Sequence, residues 1–356
     1  MPSHRRVLAT SLVILFLAGV LSARARADGP DGLPYVPVKT SLLAGKAIGR
    51  LHDHDTVHPT FSPNGRYAAF SRVVVMGKTE YAEAGYLDLD TGKATVLMGA
   101  DASREFAVYG AFIYRIQWLD NRRVEYRVSD GDVDSSLVTY DVTSNKQVAL
   151  RHMSADEDVP GKEEQAAASR FGAAFPGLAP HLAGILQQGT RLPRDRWVFQ
   201  KNYAGQDNHV WIIDGQDRSH RVLLRLPDAG WHFAFRGAVA RGSAIVLVVA
   251  HGNSVYLVQA DSSGTRVIDR TTTANDHDVW ARQLGGTRDV YFTVHTGNIR
   301  DRAPAFLYRW NEQGVQRLKT TRRIVEVDVS ADGGRAALVS WEGKRRVVDI
   351  LRISAH

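Results

Sequence analysis

The densest run of residues able to do chemistry is Leu51-His52-Asp53-His54-Asp55-Thr56-Val57-His58-Pro59, in which imidazoles and carboxylates alternate. Imidazole nitrogen and carboxylate oxygen are the donors that zinc and other borderline divalent ions take, so the segment could hold a metal. The plainer alternative is a solvated loop whose histidines cap strand ends. Trp231-His232 and Asp276-His277-Asp278 have the same character. A rim built from His52, His54, His58, Trp231, His232, His277 and Asp278 could recognise a peptide or a small polar ligand, provided the fold brings these loops together. Otherwise they are unrelated residues on a hydrated surface.

Other chemistry is excluded more firmly. Asp130, Asp132 and Asp134 alternate as in the first half of a calcium loop, but the sixth and twelfth positions hold Ser135 and Asp141, where an EF-hand needs Gly and Glu. A hairpin tip is the better reading. No Gly-x-Ser-x-Gly nucleophile elbow, P-loop or HExxH pattern occurs. No catalytic residue, metal or cofactor is therefore assigned. Cysteine is absent, which removes disulfides, thiolate metal sites and lipidation through a cysteine.

The elements that must position these residues begin after a leader. His4, Arg5 and Arg6 precede an apolar run from Val7 to Leu21, and Ala25-Arg26-Ala27 is a small-x-small cleavage site, so residues 1–27 read as a signal peptide. The run falls short of the ~20 residues that span a bilayer, and no second long apolar run follows. The mature chain is expected in the periplasm without a membrane span. Four arginines and no acid leave with the leader, which lowers the formal charge from +7 to about +3. The remaining basic residues are scattered among acids, without the stripe that a phosphate backbone selects. Nucleic acid is not expected as a partner.

After a Pro-rich segment (28–40) the chain reads as short β-branched runs separated by Gly, Asn, Asp and Ser turns, the pattern of an all-β protein. The runs recur in units. In the first, His58 to Arg72 gives two strands across a tight turn, and Ala84 to Met98 gives two more across Asp90-Thr91-Gly92-Lys93. The second, 112–150, repeats this order, with Thr143-Ser144-Asn145 in place of Asp90-Thr91-Gly92. Weaker copies cover 184–226, 233–269 and 278–318, and the last covers 325–354, where Ser330-Ala331-Asp332-Gly333 stands in the place of Ser62-Pro63-Asn64-Gly65. Six units of four strands predict a six-bladed β-propeller over 41–356. The last unit is one strand short, and residues 41–50 are expected to supply its outer strand and close the ring. The stretch at about 154–182 is rich in Ala, Glu and Gln, and is expected as a surface insertion with one short helix, or as a lid or docking arm. Trp118, Trp197, Trp211, Trp280, Trp310 and Trp341 fall mostly inside strands and are expected to pack between blades.

Phe61-Ser62-Pro63-Asn64-Gly65-Arg66-Tyr67-Ala68-Ala69-Phe70 resembles the repeat signature of TolB-like (PD40, or WD40-like) propellers, and Ser330–Leu338 is a looser second match. The segment Leu192–Gln200 is similar to a blade of the propeller that precedes the hydrolase domain in prolyl-oligopeptidase-like (S9) peptidases. The resemblance implies a six-bladed propeller that acts as a non-catalytic protein- or peptide-binding or scaffolding module, with a partner in the cell envelope. The chain is expected as a monomer that stops where a hydrolase domain would begin. The alternative is an accessory propeller of a peptidase or hydrolase system, or a propeller enzyme with a metal at the channel rim.

Overall fold

The computed structural model describes residues 33–53, 57–100, 112–129, 135–153, 162–203, 206–225, 233–274, 278–285, 288–297 and 302–353. These residues form six sheets, and the chain divides into two compact units. The first unit holds the chain up to Val38 and Ala166–Thr272; the second holds Lys39–Gln165 and Thr273–His356.

The second unit contains four sheets, each an antiparallel meander in chain order. They are β3 (Val57–Phe61), β4 (Tyr67–Met76), β5 (Thr79–Asp88) and β6 (Lys93–Met98); then β7 (Phe112–Trp118), β8 (Arg123–Ser129), β9 (Ser135–Asp141) and β10 (Lys146–Met153). The third comprises β19 (Val279–Gln283), β20 (Val290–Thr296), β21 (Ala305–Asn311) and β22 (Gly314–Lys319); the fourth comprises β23 (Ile324–Val329), β24 (Arg335–Glu342) and β25 (Arg345–Ile353). β-branched and aromatic side chains on both faces of these strands fill the space between sheets. Phe61, Ala68 and Leu87 of the first sheet meet Ala337, Val339, Val348 and Ile350 of the last. Tyr86 and Met98 meet Val124, Tyr126 and Val138 of the second.

The short fourth sheet is completed from the N-terminal side, by a strand that overlaps the expected segment 41–50 but is shifted a few residues toward the C-terminus. β2 (Gly45–Asp53) pairs antiparallel with β25, from Gly45 opposite Ile353 to Asp53 opposite Arg346. The residues before it do something else: β1 (Lys39–Leu42) lies parallel to β22 and makes that sheet five-stranded. Leu43 is the reason the boundary falls there. Its side chain is buried with Leu318 and Ile324 and its amide donates to Lys319 O at 2.7 Å, so the chain must leave one sheet edge before it reaches the next.

Two turns show why the repeat is legible in sequence. Ser62 Oγ donates to Asn64 Oδ1 (2.8 Å) and accepts from the Tyr67 amide (3.0 Å), while the Gly65 amide donates to Ser62 O (2.8 Å). Ser330 Oγ does the same with Asp332 Oδ1 (2.5 Å) and the Arg335 amide (2.9 Å), and the Gly333 amide donates to Ser330 O (2.8 Å). Gly65 (φ 68°) and Gly333 (φ 74°) occupy the left-handed conformation that the turn requires.

In the first unit, β11 (Thr190–Leu192), β12 (Arg196–Tyr203), β13 (Gln206–Asp214) and β14 (Ser219–Arg225) form one sheet, and β15 (Phe233–Arg241), β16 (Ala244–His251), β17 (Ser254–Asp261) and β18 (Gly264–Thr272) the other. Val198, Val210, Leu247, Val249 and Val258 pack between them. Pro34 to Val38 run parallel to β18, with the Val36 amide on Val267 O and the Val38 amide on Ile268 O, both at 2.8 Å. The expected one-helix insertion is larger and better anchored than the sequence suggested. Two helices, α1 (Lys162–Phe171) and α2 (Leu182–Gln188), and two 3-10 turns between them bury Phe171, Phe175, Leu178, Leu182 and Leu186 against Trp197, Phe199 and Ile213. Apolar residues at helical spacing give the segment its own core, and it therefore continues to Gln188 rather than ending near 182.

Candidate functional site

A cavity of about 610 Å³ lies in the second unit, where the first strands of its four sheets end. It is lined by Thr60 to Pro63 after β3, Arg115 to Trp118 of β7, Arg282 to Gly285 after β19, and Asp328, Val329 and Ala331 after β23. Each of these strands is the outermost member of its sheet on that side, so its far edge carries backbone groups without a ladder partner.

Side chains cap part of those edges. The Phe61 amide donates to Asp328 Oδ2 at 3.0 Å, and Trp118 Nε1 donates to Thr60 O at 3.0 Å. The Trp118 ring is held for this by stacking on Tyr67, with centroids 5.9 Å apart and planes 14° from parallel. The Phe61 amide and the Thr60 carbonyl are thereby occupied on the edge of β3.

The charged side chains of the cavity are unevenly balanced. Asp328 is only 5% exposed, and Arg282 Nη2 sits 3.4 Å from its Oδ1. Burial pushes the Asp328 carboxyl above the usual carboxylate range; the Arg282 guanidinium and the Phe61 and Val329 amides oppose that push, and Glu326 adds to it. Arg115 is exposed on the opposite wall, and among the described residues no carboxylate pairs with it. With Arg282 matched by Asp328, Arg115 leaves the cavity one positive charge in excess, with the carboxamides of Gln117 and Gln283 beside it. Gly285 keeps the wall narrow: a Cβ there would stand 2.2 Å from Ser330 O.

Of the residues chosen from sequence, Asp278 is the one whose side chain is described, and it does not line this cavity. His52 lies in β2 opposite Val347, and His58 lies in β3, with side chains outside the described residues. His54, Trp231, His232 and His277 are outside them altogether, as are Asp130, Asp132 and Asp134. Asp278 is described, half-buried, immediately before β19. Among the described residues no three metal-ligating side chains come together. Arg115, Arg282 and Asp328 were missed. A signal existed in Ile324-Val325-Glu326-Val327-Asp328-Val329, where two acids interrupt an apolar strand whose every residue is buried.

The serines of the repeat turns are not poised as nucleophiles. Ser62 and Ser330 are fully buried and their hydroxyls are bonded within their own turns.

No family model matches this chain, and no curated protein matches it. Solved structures similar to it include the β-propeller domain of the Trilobed protease from Pyrococcus furiosus, at 14% identity and a TM-score of 0.34, over 85% of this chain and 82% of that one. TolB from Acinetobacter baumannii matches at 11% identity and a TM-score of 0.32, over 90% of this chain and 65% of that one. A structure of prolyl endopeptidases matches at 8% identity and a TM-score of 0.32, over 84% of this chain and 41% of that one. The chain thus spans about two fifths of that peptidase. Among the described residues no helix is long and apolar enough to cross a membrane.

Proposed function

We propose that this chain is an exported, non-catalytic β-propeller, its six sheets forming six blades with β2 as the closing strand, and that it binds a protein or peptide partner in the periplasm. The binding surface in this reading is the cavity at the ends of β3, β7, β19 and β23. Arg115 carries the argument. An arginine without a carboxylate partner among the described residues, on the wall of a 610 Å³ cavity whose other cation is neutralised, is an open site for an anionic group. The Phe61 amide and the Thr60 carbonyl on the edge of β3 are already occupied, and an Asp/Glu-rich segment suits the excess charge. Export rests on the leader, residues 1–27. Absence of catalysis rests on the engaged hydroxyls of Ser62 and Ser330 and on the lack of a nucleophile elbow.

The test is a fluorescence-polarisation titration with a labelled Asp/Glu-rich decapeptide and its Asn/Gln counterpart. The acidic peptide is expected to bind and the neutral one to bind at least about tenfold more weakly, the value of one charge-assisted contact. Equal affinities would remove the reading.

A further inference from the structure

A second cavity, of about 540 Å³, lies in the same unit on the flank of the sheet that β2 completes, beneath the loop Thr320–Arg322. Its floor is apolar, made by Ile324, Leu338 and Leu351. Ser340 also lines it, only 2% exposed, and its Oγ makes no hydrogen bond among the described residues. Arg50 and Arg322 stand at the mouth with Asp349.

The charges there are not equally well used. Asp349 faces Arg50 across the β2–β25 ladder, with Oδ1 2.9 Å from Arg50 Nε, and its Oδ2 lies 3.8 Å from Arg322 Nη1. Glu342 is different. Its Oε1 lies between the two guanidiniums, 3.6 Å from Arg50 Nη2 and 3.3 Å from Arg322 Nη2, and its side chain is 50% exposed. Both separations exceed the ~2.7–2.9 Å of a good charge-assisted bond. Half-exposed pairs of this length add little stability. Glu342 therefore occupies the point where two arginines converge without filling it well, beside a floor that offers apolar contact.

We infer that this flank cavity binds a small monocarboxylate with an apolar body. The carboxylate takes the position of Glu342 between Arg50 and Arg322, with bidentate geometry that Glu342 does not reach. The body lies on Ile324, Leu338 and Leu351. Glu342 acts as a built-in competitor, which swings into solvent when the ligand enters.

Isothermal titration of the purified protein with 4-phenylbutyrate and with its uncharged amide tests this. The carboxylate is expected to bind and the amide to bind about tenfold more weakly or not at all. E342Q removes the competing charge and is expected to tighten binding of the carboxylate by about threefold to fivefold. R322A, in an exposed loop, is expected to weaken it about tenfold with the unfolding midpoint unchanged. Equal binding of acid and amide, no heat from the acid up to its solubility limit, or an E342Q variant that binds no better than wild type would each overturn the inference. The E342Q arm stands even if an arginine variant is poorly folded, because a merely structural ion pair would not make its loss improve binding.

Discussion

The Phe61 amide and the Asp328 carboxylate meet at 3.0 Å across 267 positions of sequence, and the bond joins the first strands of two sheets. Its worth depends on the acceptor more than on the charge, because burial already holds the Asp328 carboxyl above its usual range. D328N keeps an acceptor oxygen and is expected to be more stable than D328A by about 1–3 kcal/mol, the cost of a buried amide left unpaired. Urea unfolding near neutral pH measures the gap. A raised folded value also means that the stabilising contribution of Asp328 is complete below the unfolded carboxylate range and is lost as pH rises through the folded value. D328N should lack that dependence. Equal stability of the Asn and Ala variants would show that the bond carries no weight.

The helical insertion is expected to be part of the folded core. Phe171 is buried beside Phe175 and Leu182, over the indoles and rings of β12 and β13. F171A should therefore cost about 3–5 kcal/mol, as large-to-small changes in packed cores do. Thermal or urea unfolding decides. A loss below about 1 kcal/mol would mean that the segment merely rests on the sheet.

Acid stability of the first unit should depend on Asp261. The Ser263 hydroxyl bonds its Oδ1 at 2.5 Å, and the Ser263 amide and Arg266 add to this, so that its carboxyl is lowered to about 2 against the cost of partial burial. A depressed folded value stabilises above the unfolded pKa of about 3.9 and is lost as pH falls from there toward 2. D261N is expected to flatten the stability profile between about pH 4 and pH 2. S263A should flatten it in part, since that hydroxyl is the largest single cause. A D261N profile that parallels wild type through this window would contradict the assignment.

Much of the architecture was legible in sequence because its local chemistry repeats. Ser62 and Ser330 sit in matching turns between buried strands, and each expected unit coincides with a sheet. The N-terminal strand was legible in kind and displaced in register, because the burial of Leu43 between two sheet edges depends on partners near residues 318 and 324 that no local pattern reveals. The insertion was underestimated for a similar reason: Phe171, Phe175 and Leu178 read as scattered apolar residues until Trp197 and Phe199 are placed beneath them. The cavity was not legible. Its residues come from four distant strands and include no dense motif.

The central claim, that the cavity recognises an anionic partner through Arg115, is tested most directly by reversing that one charge. Arg115 is exposed and has no carboxylate partner among the described residues, so R115E should unfold at the wild-type midpoint. In polarisation titrations its affinity for the Asp/Glu-rich decapeptide is expected to fall at least about tenfold, and more at low salt than at high, because a like charge now faces the ligand. A variant that folds normally and binds the acidic peptide as tightly as wild type would contradict the account.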